Sequence, residues 1–210
     1  MKIVFDFGGV LLRWQPLDFL PRLLPRRAVT PEATADWMRA VFQGFDGDWG
    51  EFDRGVVDAG ELADRIAART GLEVGEARHL IDAIPGELQP LPESVALLRR
   101  LHAVGRELYF LSNMPEPYAR HIEASHDFLG CFKRGIYSAR VQLIKPQPEI
   151  FAHANAQFGV GEASIVFIDD VLKNVHAAQA AGWRAIHFRD ARQCESELAE
   201  MGALEVGAGR

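Results

Sequence analysis

Three short runs of β-branched and aromatic residues, each stopped by polar side chains, limit what this chain can fold into. Ile3-Val4-Phe5 stops at Asp6, Leu108-Tyr109-Phe110-Leu111 stops at Ser112-Asn113, and Ile165-Val166-Phe167-Ile168 stops at Asp169-Asp170. Weaker runs lie at Gly135-Ile136-Tyr137 and from Trp183 to Phe188. A strand with one wet face alternates apolar and polar residues, whereas an unbroken apolar run suits a parallel strand buried on both faces. Helical stripes separate the runs. Leu97, Leu98, Leu101 and Val104 follow Pro92 and stop at Gly105, while Ile150, Phe151, Ala154 and Phe158 stop at Gly159. An alanine-rich stretch from Leu172 to Ala181 stops at Gly182. Strands alternating with helices imply right-handed β-α-β crossovers, so the predicted fold is α/β, a doubly wound parallel (Rossmann-like) sheet.

Residues from about Trp14 to Pro85 show no strand pattern. Helices are predicted after Thr30-Pro31-Glu32, after Asp58-Ala59-Gly60-Glu61 with its capping-box spacing, and from Val74 to Ile84. The chain therefore divides into a core of residues 1–14 and 86–210 and an inserted helical-bundle cap of residues 15–85. A cap inserted after the first strand covers the carboxyl edge of the sheet, where open α/β sheets bind ligands.

Composition narrows the function. A chain of 210 residues can build one sizeable core, and a net charge of -6 offers no basic footprint for a nucleic-acid backbone. No apolar stretch approaches the roughly 18 residues that span a bilayer. Asp6 interrupts the first apolar run, so no signal peptide is expected. Cys131 and Cys194 lie far apart without paired-ligand spacing, as in a reducing cytoplasm. The seven histidines contain no His-x-x-x-His pair and the chain has no Gly-x-Ser-x-Gly elbow, which disfavours zinc and serine-hydrolase chemistry. Gly159-Val160-Gly161 lacks the third glycine of a dinucleotide loop and reads as a turn. The expectation is a cytoplasmic protein acting on a small molecule, with no nucleic-acid or membrane partner and its oligomeric state left open.

The residues that stop the runs share one chemistry. In a parallel sheet Asp6, Ser112 and Asp169 emerge on the same edge, and Lys145 can reach it from the loop ahead of Pro146. A nucleophilic carboxylate, a hydroxyl, an ammonium and a carboxylate pair suit phosphoryl transfer, where catalysis is mainly positioning and charge neutralisation. An anionic Asp6 needs a hard cation between itself and an anionic phosphate. Mg²⁺ prefers oxygen ligands and keeps several waters, and its predicted ligands are Asp6, Asp169, Asp170 and the backbone carbonyl near Gly8. Lys145 is expected to hold the remaining phosphoryl charge and to orient Asp6. The Ser112 hydroxyl and the Asn113 backbone N–H are expected to donate to phosphoryl oxygens. Gly8-Gly9 leaves the backbone after Asp6 bare for close approach of the ester. Attack by Asp6 gives an aspartyl-phosphate that water then hydrolyses.

At these residues the chain resembles the haloacid dehalogenase-like hydrolase superfamily. The resemblance rests on four motifs in order: Val4-Phe5-Asp6-Phe7-Gly8-Gly9-Val10-Leu11, Leu111-Ser112-Asn113, Ile144-Lys145-Pro146-Gln147-Pro148-Glu149-Ile150-Phe151, and Phe167-Ile168-Asp169-Asp170 with Asn174 following. The helical insert resembles the family's small four-helix cap. The resemblance implies that Asp6 is the nucleophile, Ser112 and Lys145 contact the phosphoryl group, and Asp169 and Asp170 bind metal. One position departs. Most phosphatases of this family carry a second Asp two residues after the nucleophile as general acid and base, and here that position is Gly8. Losing a general acid costs about 10²–10⁴-fold. The chain is similar to a subgroup with Gly at this position, which includes sugar-1-phosphate phosphatases such as the α-glucose-1-phosphate phosphatases, whose anomeric leaving group departs easily. The expected function is Mg²⁺-dependent hydrolysis of a small phosphorylated metabolite, with a sugar phosphate as the candidate. Two alternatives stand beside it. A 2-haloacid dehalogenase uses the same Asp without metal, but usually carries Tyr where Gly8 stands and lacks the acid pair. A non-catalytic phospho-ligand-binding protein would be inactive through Gly8. In the cap, the cluster Asp46, Asp48, Trp49, Glu51, Asp53 and Arg54 is a candidate to face the site, beside the commoner reading of such a cluster as a solvated face with one buried Trp.

Overall fold

Five parallel strands, β1 (Lys2–Phe5), β2 (Glu107–Ser112), β3 (Arg134–Tyr137), β4 (Ile165–Asp169) and β5 (Arg184–His187), form one sheet in the order β3-β2-β1-β4-β5. The computed structural model describes residues 1–159 and 165–204, with Phe45 described by its backbone alone. The turn expected at Gly159-Val160-Gly161 thus lies, beyond Gly159, outside the described residues. The unbroken apolar runs have the reason expected of them. Ile3, Phe5, Leu108, Phe110, Val166 and Ile168 point to one face, where α6 (Pro92–Ala103) and α11 (Ala191–Glu200) pack. Val4, Tyr109, Leu111, Ile165 and Phe167 point to the other, against α9 (Pro148–Phe158) and α10 (Leu172–Ala180). The remaining core helices are α7 (Glu116–Ser125) and α8 (Ser138–Val141).

Register sets the working edge. Phe5 stands opposite Phe110 on one side and Ile168 on the other, so Asp6, Ser112 and Asp169 leave the sheet together. Strand β1 lies between β2 and β4, the point where strand order reverses and a crevice opens.

Between β1 and α6 the chain builds five helices: α1 (Pro16–Leu23), α2 (Pro31–Phe42), α3 (Gly47–Arg54), α4 (Ala59–Thr70) and α5 (Val74–Glu87). Thr30 caps α2 by accepting from the Ala33 N–H at 3.1 Å, and Asp58 caps α4 by accepting from Gly60 and Glu61 at 2.8 and 2.9 Å. The capping-box spacing at Asp58 is used in one direction only. Glu61 turns to Arg65 at 2.6 Å, and the reciprocal box forms at Glu73 and Glu76 instead. Helix α5 also runs past its expected end at Ile84, through Pro85 to Glu87. Pro85 has no N–H for the Ile81 carbonyl one turn back. The Tyr118 hydroxyl of α7 donates to that carbonyl at 2.7 Å, supplying the missing hydrogen bond from the core. The two passages joining sheet and cap run antiparallel at Leu12 and Pro90, with Arg13 N–H donating to Gln89 at 2.7 Å and Leu91 N–H to Leu11 at 2.8 Å. Among the described residues no helix is long and apolar enough to cross a membrane.

Candidate active site

Asp6 follows β1, its N–H tied to the Ile168 carbonyl at 2.9 Å, and its residue is only 7% exposed. Lys145 reaches the edge from its loop, with Nζ 2.9 Å from Asp6 Oδ1 and 2.7 Å from Asp169 Oδ2. The loop is pinned by Asn113, whose Nδ2 donates to the Lys145 carbonyl at 2.9 Å while the Lys145 N–H donates to its Oδ1 at 2.8 Å. Asp169 accepts from the Val171 N–H at 2.8 Å and from Asn174 Nδ2 at 3.1 Å to each oxygen. Asp6, Asp169 and Asp170 offer oxygens that lie within 4.8 Å of one another.

Charge at this edge is unbalanced. Three carboxylates meet one ammonium, and burial of the group makes the excess costly. Burial raises the Asp6 carboxyl, the Lys145 charge opposes it, and Asp169 and Asp170 add to the rise. Asp170 is pushed up to about 6 by burial and by the Asp169 charge, against Lys145. Burial disfavours the Lys145 ammonium, but the charges of Asp169 and Asp6 outweigh it and hold its pKa above the ordinary lysine value. A divalent cation on these oxygens removes the imbalance, and oxygen donors of this kind suit Mg²⁺. Among the described residues no donor reaches the Gly8 carbonyl, while the neighbouring Phe7 carbonyl accepts from Val10, Leu11 and Leu12. The residues present therefore fit the expected metal.

The cleft above this edge has a cavity volume of about 120 Å³ and is lined by Asp6, Gly8, Asn113, Lys145 and Asp170 from the expected set. Ser112 ends β2 in a buried position, and there the cleft wall is made by Asn113, Met114 and Pro115. The two glycines serve different needs. Gly9 was expected to clear space for the ester, but a Cβ on it would meet Asp170 Oδ2 at 2.1 Å, and its φ is +75°. Its bareness makes room for Asp170. At Gly8 a Cβ would meet only the Trp14 side chain, its Cβ at 3.7 Å and its Cγ at 3.9 Å, so there is space for a side chain that the sequence omits.

The expected cap cluster is split by the phase of α3. Trp49 and Asp53, one turn apart, are buried and line the cleft. Asp48 and Glu51 turn away to Arg65, and Asp48 also to Arg69 at 3.1 Å. Arg54 reaches Gln147 in the core at 3.0 Å, and Asp46 is exposed. Trp14, Leu88, Met114, Pro115 and Tyr118, which no motif in the sequence marks as site residues, supply most of the apolar wall. A ladder of rings runs from Trp14 through Phe42, Trp49 and Phe52 to Tyr118, with centroid separations of 5.6, 4.5, 5.8 and 5.6 Å.

A family model described as haloacid dehalogenase-like hydrolase matches residues 3–182, which take in strands β1 to β4 from Ile3 on, the cap and every acid of the site. The chain is a haloacid dehalogenase-like hydrolase. This hydrolase is 27% identical over 198 residues to the sesquiterpene phosphatase of Aspergillus oryzae, an alignment covering 94% of each chain. Its fold is shared by a HAD family enzyme of Bacteroides thetaiotaomicron solved with magnesium and inorganic phosphate, at 21% identity and a TM-score of 0.69 over 90% of this chain and 93% of that one. It is also shared by the L-2-haloacid dehalogenase of Xanthobacter autotrophicus with chloropropionic acid covalently bound, at 19% identity and a TM-score of 0.64 over 98% and 84%.

Proposed function

We propose that this hydrolase is a Mg²⁺-dependent phosphomonoesterase that works through an aspartyl-phosphate on Asp6. The observation that carries the reading is the meeting of Asp6, Asp169 and Asp170 around Lys145 at the sheet edge. Asp6, Asp169, Asp170 and the Gly8 carbonyl would hold Mg²⁺, which when bound offsets their charge and that of the ester. Lys145 opposes the burial that raises the Asp6 carboxyl and holds one of its oxygens in place for attack on phosphorus. That oxygen forms the new bond, and the bond from phosphorus to the ester oxygen breaks with its electron pair leaving on the alcohol. Water then cleaves the aspartyl-phosphate. Residues 1–14 and 86–210 carry this chemistry, and residues 15–85 close over the leaving group.

The walls of the cleft narrow the substrate. Trp14, Trp49, Leu88, Met114, Pro115 and Tyr118 are mostly apolar surface, giving the hydroxyls of a sugar few partners. An apolar alcohol fits this lining better than the sugar that the subgroup resemblance suggests. The A. oryzae relative is a sesquiterpene phosphatase, which agrees with such a leaving group.

The test is hydrolysis of para-nitrophenyl phosphate with Mg²⁺ and with EDTA, for the wild type and Asp6→Asn. The expected result is turnover that needs Mg²⁺ and disappears in Asp6→Asn. Turnover that survives either change overturns the reading. Chloride release from a 2-haloacid in EDTA would replace it with dehalogenation, and binding of phosphate esters without turnover would replace it with a binding role.

A further inference from the structure

Phosphoryl transfer to Asp6 leaves one proton without a carrier. The oxygen of an alkyl phosphate departs as a strongly basic alkoxide unless a proton reaches it, and Gly8 has none to give. We propose that Asp53, brought from the cap on α3, protonates the leaving oxygen and then takes a proton from the water that attacks the aspartyl-phosphate. This rests on the phosphatase reading of the site.

Asp53 lines the same cleft as Asp6, Gly8 and Lys145 and is 7% exposed. Among the described residues no donor hydrogen-bonds its carboxyl and no cation lies within ion-pair distance. It is outside the trio of acids that gather within 4.8 Å, so it is free of the predicted metal site. Its position is fixed by the core. The buried Ser138 hydroxyl donates to the Asp53 carbonyl and accepts from the Met114 N–H at 2.8 Å. Gly55, with φ +77°, ends α3 so close to α8 that a Cβ would meet the Ala139 carbonyl at 2.7 Å. Arg54 is held by Gln147. Three contacts thus seat one turn of α3 over the sheet edge, while Asp48 and Glu51 on its far side are occupied by cap arginines. The charged groups that face Asp53 are Asp6 and Lys145. Burial first and the Asp6 charge second push its carboxyl up to about 8, with Lys145 opposing, so it carries a proton at neutral pH. A protonated acid lining the same cleft as Asp6 is what Gly8 does not supply.

The balance closes. Asp6 Oδ bonds to phosphorus, the ester P–O bond breaks, and its electron pair takes the Asp53 proton to release a neutral alcohol. Asp53, now a carboxylate, accepts a proton from water as that water bonds to phosphorus and the P–O bond to Asp6 breaks. Inorganic phosphate leaves, and both acids return to their starting states.

The experiment compares kcat/KM for decyl phosphate, whose alkoxide needs a proton, with para-nitrophenyl phosphate, whose phenolate does not. For Asp53→Asn, the ratio of the two is expected to shift by roughly 10²–10⁴-fold in favour of the aryl ester. Damage to the cap alone would lower both and leave the ratio in place. For the aryl ester, kcat is expected to fall further than kcat/KM, because hydrolysis of the aspartyl-phosphate loses its base. Adding Gly8→Asp, where a Cβ meets Trp14 only at ordinary contact distance, is expected to return part of the lost ratio. An unchanged ratio in Asp53→Asn overturns the acid role, and equal falls of kcat and kcat/KM for the aryl ester overturn the base role. If Asp6→Asn retains aryl phosphate turnover, the phosphatase reading itself fails, whatever Asp53→Asn does.

Discussion

Substituting Gly9 by Ala tests whether the acid pair is seated by the bare backbone after Asp6. Two costs follow from the structure. At φ +75° a Cβ is disfavoured by about 1–2 kcal/mol. In a protein of this size, that lowers the midpoint of thermal unfolding by about 2–8 °C. The second cost falls on Asp170, since the new Cβ would stand 2.1 Å from its Oδ2 and 2.4 Å from its Cγ. Ordinary contacts begin near 3.5 Å, so the carboxyl must retreat by about 1 Å or more. A displaced ligand or orienting group costs about 10–100-fold in metal affinity, so the Mg²⁺ needed for half-maximal aryl phosphate turnover should rise by that factor. Gly8→Ala is the control. Its φ is not left-handed and a Cβ there makes only ordinary contact with Trp14, so stability should hold or gain about 0.4–1 kcal/mol. The measurements are thermal unfolding and a Mg²⁺ titration of turnover. Equal unfolding midpoints and equal Mg²⁺ requirements for the two variants would refute the close seating of Asp170 on Gly9.

Three further outcomes can be checked together. Ser138→Ala leaves the Met114 N–H and the Asp53 carbonyl without their shared hydroxyl, and urea unfolding should report a loss of about 1–3 kcal/mol. Tyr118→Phe orphans the Ile81 carbonyl and should cost a similar amount, but less in a Pro85→Ala background, where residue 85 gains an N–H. A double-mutant cycle showing no coupling would disprove that link. Asp53 has its carboxyl raised from the ordinary 3.8 to about 8, so the folded chain holds a proton that the unfolded chain releases. Its contribution to stability is therefore intact below about pH 4 and lost progressively as pH rises to about 8. In metal-free buffer, Asp53→Asn should gain stability over the wild type across that interval and level off above it.

Much of the core was legible because its signals are local. An apolar run that ends in an acid carries its burial and its edge in adjacent residues, as at Ile3 to Asp6 and Ile165 to Asp170. Lys145 was legible only as a residue that could reach the edge, and its bridge between Asp6 and Asp169 depends on Asn113 holding its loop. The cap was harder. Composition marks residues 46 to 54 as polar and aromatic, but which side meets the cleft depends on the phase of α3. The spacing of Trp49 and Asp53 contains that phase, whereas the contact that decides it, Ser138 on the Asp53 carbonyl, joins residues 85 positions apart. Tyr118 was unreadable for the same reason, since its partner is an orphan made by Pro85 on another helix. The seating of Asp170 against Gly9 was not legible, because the two are 161 positions apart and meet only when β1 and β4 pair.

The paired passages at Leu12 and Pro90 form a neck from which all five cap helices hang. Because the hydrogen bonds at Arg13 and Leu91 already hold its two sides together, the sheet experiences the appended helices as one short closed loop, whatever their length. Doubling the length of a flexible loop adds only about 0.6 kcal/mol of closure entropy. Helices can thus be lengthened, traded or resurfaced beyond the neck while strand register is preserved. The cleft's upper wall can thereby be rebuilt without disturbing the carboxylates and lysine at the sheet edge.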